Sequence, residues 1–170
     1  LNQAGARLAV AVRDREFPGR FVAGDIGPCG QMVKPMGSAE PDALRVTFSE
    51  QARALVAGGV DLLNIETMFD LTEATIAVEE AVAAAGGRPV LANMAFKPAA
   101  KGFRTMMGVT PEQAVAALTA VDHLAAQQQT QALGHKHHLD GQVGARRYGQ
   151  QVVEADAALG NRYPARCADI

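Results

Sequence analysis

Two acidic residues stand where short apolar runs of the sequence end. Asp25 lies near the end of Phe21–Ile26, and Glu66 directly follows Val60–Ile65. Because carboxylates are seldom buried without a partner, an acidic side chain at a strand end is a candidate for a binding role. Gly27 would in addition let backbone N–H groups come close to a bound carboxylate.

Each of these residues also has a purely structural explanation. Asp25 would bond to local amides if it stood in a turn whose bend Pro28 fixes, and Glu66 would then be a solvated loop residue. Thr67 and Asp70 follow on the same loop, and an acid that stabilises a helix N-terminus explains Asp70 about as well as binding does. The residues alone leave both roles open.

Lysine, histidine and methionine side chains elsewhere in the sequence could in principle react or bind a metal, but their sequence surroundings disfavour these roles. Lys97 follows a predicted strand, as a Schiff-base lysine would in a barrel aldolase, but Lys97–Lys101 has the character of an exposed loop. His135, His137 and His138 are close enough in sequence to suggest zinc, yet the adjacent His137 and His138 cannot easily share one metal. The methionines are widely separated, which favours packing over a soft-metal site.

The elements that must position the two strand ends alternate regularly between helix and strand. Helices are predicted at about Leu1–Arg15, from Thr47–Glu50 to Gly58, at Leu71–Ala85 and from Thr110 onward, and strands at Phe21–Ile26, Val60–Ile65 and Pro89–Phe96. Capping-box spacing marks the helix starts at Thr47 and Thr110, and Gly-Gly pairs mark the ends at Gly58 and Gly86. The Phe21–Ile26 strand is expected to be buried.

Long polar segments follow the strands, whereas the connections from helix to strand are short. This pattern predicts a βα repeat with parallel strands and with the long loops on one face, where a barrel carries its active site. A complete barrel typically needs about 250 residues, and this chain has 170. The expected fold class is therefore α/β, a partial (β/α)8 barrel.

Composition excludes several classes of function. The formal net charge is −2 with both signs scattered, and aromatic residues make up 5% of the chain, so a nucleic-acid surface is not expected. An apolar run of about 20 residues, as a membrane span needs, and a signal peptide are both lacking, which predicts a cytoplasmic protein without membrane partners. Cys29 and Cys167 are expected to be reduced thiols.

Several segments resemble motifs of the homocysteine S-methyltransferase family. They are Phe21–Gly30, Gly58–Asp70, Glu73–Ala74, Gly102–Arg104 and Gly108–Glu112. The similarity covers about Leu1–Asp122, and the Asp25-Ile26-Gly27-Pro28 turn is more similar to the homocysteine domain of cobalamin-dependent methionine synthase than to the betaine-using branch. Homocysteine is therefore the expected ligand, and a domain that binds cobalamin or another methyl donor is the expected partner.

The resemblance implies a (β/α)8 barrel in which three cysteine thiolates hold zinc, and zinc makes the homocysteine thiol a nucleophile by removing its proton. It implies that Glu66 holds the homocysteine amino group and that Asp25, Gly27, Thr67 and Asp70 belong to the same substrate site. The family takes its zinc cysteines from an Asn-Cys pair and from two adjacent cysteines, and neither motif occurs in this sequence. No catalytic residue and no metal ligand are therefore expected in this chain.

The character of the sequence changes after Asp122. We expect residues 1–122 to be the partial homocysteine-binding barrel, incomplete at both ends, and residues 123–170 to be a tail unlike the family, of native or frameshifted origin. The resulting hypothesis is a fragment of a methyltransferase that forms methionine and is inactive alone. The alternatives are a non-catalytic barrel remnant and a small α/β binding module.

Overall fold

Helices alternate with strands throughout residues 1–132, the part of the chain that the structure, a computed structural model, describes. The elements are α1 (Asn2–Glu16), β1 (Ala23–Ile26), α2 (Pro41–Ala57), β2 (Leu62–Met68), α3 (Leu71–Ala85), β3 (Val90–Met94), β4 (Lys97–Pro98), β5 (Phe103–Arg104) and α4 (Pro111–Ala132). The predicted order is confirmed. The segment Lys97–Lys101, predicted to be an exposed loop, instead begins the short antiparallel hairpin of β4 and β5.

The strands β1, β2 and β3 form a parallel sheet in that spatial order, with β2 in the centre. Asp25 of β1 is the register partner of Asn64 of β2. Because the three strands run in one direction, their carboxyl ends and the loops that follow lie at one end of the sheet. The prediction of an α/β protein with parallel strands is confirmed at this level.

One face of the sheet packs against α2 and α3. The side chains of Ile26, Leu63 and Ile65 are completely buried on this face, in one core with Phe48 of α2 and Ala77 of α3. Gly24 permits the close approach of α2. A Cβ atom at that position would lie 3.2 Å from the side chain of Leu55 and 3.3 Å from that of Val60.

The other face of β1 is exposed, which corrects the prediction that this strand is buried. Gly24 and Ile26 are buried, whereas Ala23 and Asp25 are exposed. Phe21 precedes the strand and is 80% exposed. Successive side chains of a strand point to opposite faces, and α2 and α3 cover the face that carries Gly24 and Ile26.

The start of α2 also differs from the prediction. The helix begins at Pro41, so Thr47 lies inside it, and the Thr47 hydroxyl donates to the Ala43 carbonyl oxygen at 2.9 Å. A proline suits the first helical position because its fixed φ matches the helix and its missing N–H needs no partner there. This signal overrides the capping-box spacing at Thr47. The end of the helix at Gly58 is confirmed.

The boundaries of α3 and the start of α4 are confirmed. The helix α3 spans Leu71–Ala85 and is followed by Gly86 in the left-handed conformation, with φ 58°. At the start of α4, Gln113 N donates to the Thr110 hydroxyl at 3.2 Å and Thr110 N donates to Gln113 Oε1 at 2.9 Å. These two bonds are the predicted capping box.

At the amino end of the sheet, Asp61 joins three elements. Its Oδ2 accepts hydrogen bonds from Val22 N at 2.7 Å and from the Arg13 guanidinium of α1, and its own N–H donates to the Val22 carbonyl at 2.8 Å. The segments that lead into β1 and β2 are thus held to each other and to α1.

Residues Leu1–Ala125 form one compact unit. The helix α4 continues past the predicted boundary at Asp122 to Ala132. The separate tail stays a prediction, because His135, His137, His138 and Cys167 lie outside the described residues.

Candidate functional site

Three polar side chains are hydrogen-bonded in a row across the exposed face of the sheet. Asn64 Nδ2 donates to Asp25 Oδ1 at 2.8 Å, and Asn93 Nδ2 donates to Asn64 Oδ1 at 2.8 Å. One residue comes from each strand, and Asn93 lies two positions beyond Leu91, the register partner of Asn64. We call Asp25, Asn64 and Asn93 the amide ladder. It leaves Asp25 Oδ2 without a recorded partner among the described residues.

Glu66 lies on the same face as the ladder. It directly follows Ile65, whose side chain is completely buried on the helix side, and it lies two positions after Asn64, which is one repeat of a strand. Two residues of strand correspond to about 6.6 Å along the chain, and neighbouring strands lie about 4.8 Å apart. Strand alternation therefore puts Asp25 and Glu66 on one face of the sheet, near the carboxyl ends of adjacent strands.

The chain after Glu66 contains a bulge. Ile65 pairs with Ala92 but Met68 pairs with Met94, so β2 has one more residue than β3 over this stretch. Thr67 has φ 60°, in the left-handed region that a β-branched residue seldom adopts. Glu66 and Thr67 are consequently both exposed, although they are consecutive in a strand. Bulges of this kind redirect side chains and are common beside active sites.

Asp70 caps the helix that follows. Its Oδ1 accepts hydrogen bonds from Thr72 N at 2.7 Å and from Glu73 N at 3.2 Å, and the residue is 8% exposed. The structural explanation offered by the sequence, an acid at a helix N-terminus, thus describes what this side chain does.

Glu73 is a buried carboxylate that the sequence did not identify as a site residue. Its side chain is completely buried, and its Oε1 accepts a hydrogen bond of 2.6 Å from Cys29 N in the turn after β1. Its Oε2 is buried without a hydrogen-bond partner among the described residues. Glu73 thereby holds the Gly27-Pro28-Cys29 turn against the start of α3. Gly27 itself is exposed, and a Cβ there would meet open space.

The thiol of Cys29 is poorly suited to metal binding. Partial burial, followed by the neighbouring Glu73 carboxylate, raises the pKa of Cys29, so the protonated form predominates at neutral pH. Zinc requires several deprotonated or neutral donors arranged around one point. Within residues 1–132, no group of three His, Cys, Asp or Glu side chains is placed to hold a metal ion. The described residues therefore do not fit the zinc that the sequence resemblance implies.

Lys97 is exposed in the β4 and β5 hairpin. It is thus unlike the desolvated lysine that Schiff-base chemistry favours.

A groove of about 520 Å³ runs between α1 and β1, with a lining that is mainly apolar and includes Asp25. Among the described residues, Asp25 is the only acidic side chain that lines this groove, and it belongs to the amide ladder.

Sequence reasoning missed Asn64 and Asn93. Both occur inside otherwise apolar strand segments, and a polar amide there is costly unless it is hydrogen-bonded. That pattern is a usable signal for a polar network, but the pairing of the two asparagines depends on strand register, which the sequence does not supply directly.

Within residues 1–132, no helix has the length and apolar character needed to cross a bilayer. A family model described as homocysteine S-methyltransferase matches residues 1–133. The matched region includes the amide ladder and the loops that follow β1 and β2.

Proposed function

This chain belongs to the homocysteine S-methyltransferase family, and from that membership we propose that Asp25 and Glu66 bind the ammonium group of homocysteine. The observation that carries the proposal is the Asn64–Asp25 hydrogen bond. It fixes one oxygen of Asp25, while the other has no hydrogen-bond partner within residues 1–132 and lies near the carboxyl end of β1.

Two carboxylates on one face suit an ammonium ligand. An ammonium group offers three donors and a positive charge, and ionised carboxylates are acceptors only. Hydrogen bonds between these groups are shorter and about twice as strong as those between neutral partners. Thr67, which follows Glu66, supplies a hydroxyl in the same exposed part of β2, and Gly27 would leave its backbone open to the ligand carboxylate.

We further propose that the sheet is part of a (β/α)8 barrel. The parallel order β1, β2, β3 and the helix after each strand suit such a fold, and barrel enzymes carry their sites at the carboxyl ends of the strands. Asp25, Glu66 and Asn93 all lie toward that end. In this proposal Asp70 stabilises α3 instead of contacting the ligand, because its Oδ1 already accepts two backbone bonds.

The reaction proposed for the family domain is methyl transfer to the sulfur of homocysteine, which gives methionine. Zinc would supply the thiolate, and a cobalamin-bound or other activated methyl group would be the donor, through a partner domain. The described residues do not fit zinc, so the role proposed for them is to hold the amino acid. We expect the chain by itself to bind homocysteine without methylating it.

The test compares homocysteine with 4-mercaptobutanoate, which has the same thiol and carboxylate but lacks the amino group. Binding to the 170-residue chain would be followed by ligand-observed NMR. Homocysteine is expected to bind at least about tenfold more tightly, as one charge-assisted contact would give. Asp25→Asn and Glu66→Gln should abolish most of this preference.

The control is Glu16→Gln, which removes one negative charge from the exposed end of α1. It should leave the preference unchanged. Equal binding of the two ligands by the unaltered chain, or no binding of either, would contradict the proposal.

A further inference from the structure

The hydrogen bonds of the amide ladder run in one donor-to-acceptor direction, which the carboxylate of Asp25 determines. An ionised carboxylate can only accept hydrogen bonds, so the amide NH2 group of Asn64 must face Asp25. The Asn64 carbonyl oxygen then faces Asn93, which must present its own NH2 group. The observed bonds, Asn93 Nδ2 to Asn64 Oδ1 and Asn64 Nδ2 to Asp25 Oδ1, follow this order.

We propose that Asn64 and Asn93 are positioning residues, which act through one another to hold Asp25 in the orientation that binds an ammonium group. This inference rests on the proposed function, because it assigns Asp25 to the ligand. Neither asparagine needs to touch the ligand itself.

The placement of the ladder supports this role. Asp25 is exposed, and an exposed carboxylate with no fixed neighbour samples several rotamers. The bond from Asn64 selects one of them before the ligand arrives, which lowers the entropy lost on binding. Asn64 is partly buried, so its own orientation matters, and the bond from Asn93 fixes it.

The arrangement also separates the ladder from the core. The packed face of the sheet consists of apolar side chains such as Leu63 and Ile65, which need no polar partner. Asn64 lies on the opposite face, between them in sequence. A change at Asn64 therefore alters the polar row while the residues that pack against α2 and α3 stay the same.

The first experiment replaces Asn64 with Asp and measures homocysteine binding between pH 5.5 and 7.5. Two adjacent carboxylates repel each other, and this raises the pKa of the pair. At the lower pH the pair shares a proton, so residue 64 can again donate to Asp25 and the ladder is restored. The carboxylates of this face in the described strands are Asp25, Glu66 and the one introduced.

The expected result is that Asn64→Asp binds at least about fivefold more tightly at pH 5.5 than at pH 7.5, whereas the unaltered chain changes by less than about twofold. Because repulsion at pH 7.5 could also destabilise the fold of this variant, its circular dichroism spectrum is measured at both pH values. Recovery of binding counts in favour of the inference only if the two spectra are the same. Equal affinity at the two pH values would overturn the inference.

The second experiment tests Asn93, which lies on β3, the strand next to that of Asn64. Asn93→Asp keeps the shape of the side chain but removes the donor, so Asn64 must turn its NH2 group toward residue 93 and its carbonyl oxygen toward Asp25. We expect binding at pH 7.5 to weaken about fivefold or more. Gln51→Glu is the matched control, because it adds the same charge on α2, which packs against the other face.

Unchanged binding by Asn93→Asp and Asn64→Leu, in a chain that binds homocysteine, would overturn this inference and leave the proposed function intact. Absence of binding by the unaltered chain would overturn both. The two failures are therefore distinguishable from the behaviour of the unaltered protein alone.

Discussion

The backbone N–H of Cys29 donates a 2.6 Å hydrogen bond to Oε1 of Glu73, which joins residues 44 positions apart in the sequence. Glu73 lies in the first turn of α3, three residues after the helix cap Asp70. In a capping box the acid at this position would bond back to its own cap residue. In this chain it bonds instead to the turn after β1, and so links the loops that follow two adjacent strands.

Replacement of Glu73 should destabilise the protein more when the hydrogen-bond acceptor for Cys29 N is removed than when it is kept. Glu73→Ala removes the acceptor for Cys29 N and leaves a cavity, with an expected loss of about 2–3 kcal/mol in the free energy of unfolding. Glu73→Gln keeps an acceptor and should cost about 1 kcal/mol or less. Urea unfolding followed by circular dichroism would measure both.

The control for this pair is Glu79→Gln. Glu79 forms an ion pair with Arg45 on the partly exposed side of α3, where such pairs contribute little. Its effect should stay under about 0.5 kcal/mol. Equal losses of unfolding free energy for Glu73→Ala and Glu79→Gln would show that the Glu73–Cys29 hydrogen bond contributes little to stability.

The thiol of Cys29 should react slowly at neutral pH. Burial and the Glu73 carboxylate raise its pKa, and the thiolate is the reactive form. In a Cys167→Ser background, the rate of alkylation by iodoacetamide should reach half of its maximum at a pH above about 8.5, the value for a free thiol.

Glu73→Gln should move that midpoint to lower pH, because removal of the negative charge favours the thiolate. Burial is the larger cause and remains, so the midpoint should not fall below that of free cysteine. A Cys29 that reacts faster than free cysteine at pH 7 would contradict the described surroundings of the thiol.

Substitutions of Asp70 can separate its role as a helix cap from a role in ligand binding. Asp70→Ala should cost about 1–2 kcal/mol of stability through loss of the helix cap, whereas Asp70→Ser keeps a capping oxygen and should cost a few tenths. Homocysteine affinity should change less than about twofold in Asp70→Ser. A stable Asp70→Ser protein that fails to bind would assign the carboxylate to the ligand, as the sequence resemblance implies.

The left-handed conformation of Thr67 predicts that two substitutions differ in their effect on stability. Thr67→Gly should stabilise the protein by about 1 kcal/mol, because glycine adopts a positive φ without strain. Thr67→Val keeps the strain and removes the hydroxyl, so stability should change little. If the hydroxyl contributes to homocysteine binding, both variants should bind less tightly; a loss in Thr67→Gly alone would implicate the backbone conformation instead.

Local signals explain which parts of the fold the sequence predicted well. The limits of α3 and the capping box of Thr110 and Gln113 depend on residues within a few positions of one another. The start of α2 was misjudged because two local signals competed, and Pro41 prevailed over the spacing at Thr47.

The candidate site was predicted only in part, for a different reason. Asp25 and Glu66 stand at strand ends that the apolar pattern reveals, so their location at one end of the sheet followed from parallel pairing. The bulge between Ile65 and Met68 and the bonds of Asn64 depend on which residues of separate strands lie opposite each other. Register of this kind arises from tertiary packing and has no local marker.

The contact of Asp61 with Val22 and Arg13 joins the amino ends of β1 and β2 to α1, at the opposite end of these strands from Asp25 and Glu66. Resistance to heat can be improved at Asp61 and its neighbours, by better packing or added charge pairs, at a distance of several residues along each strand from Asp25 and Glu66. A library restricted to that end would be a rational starting point for a sturdier protein whose ligand preference is left as it was.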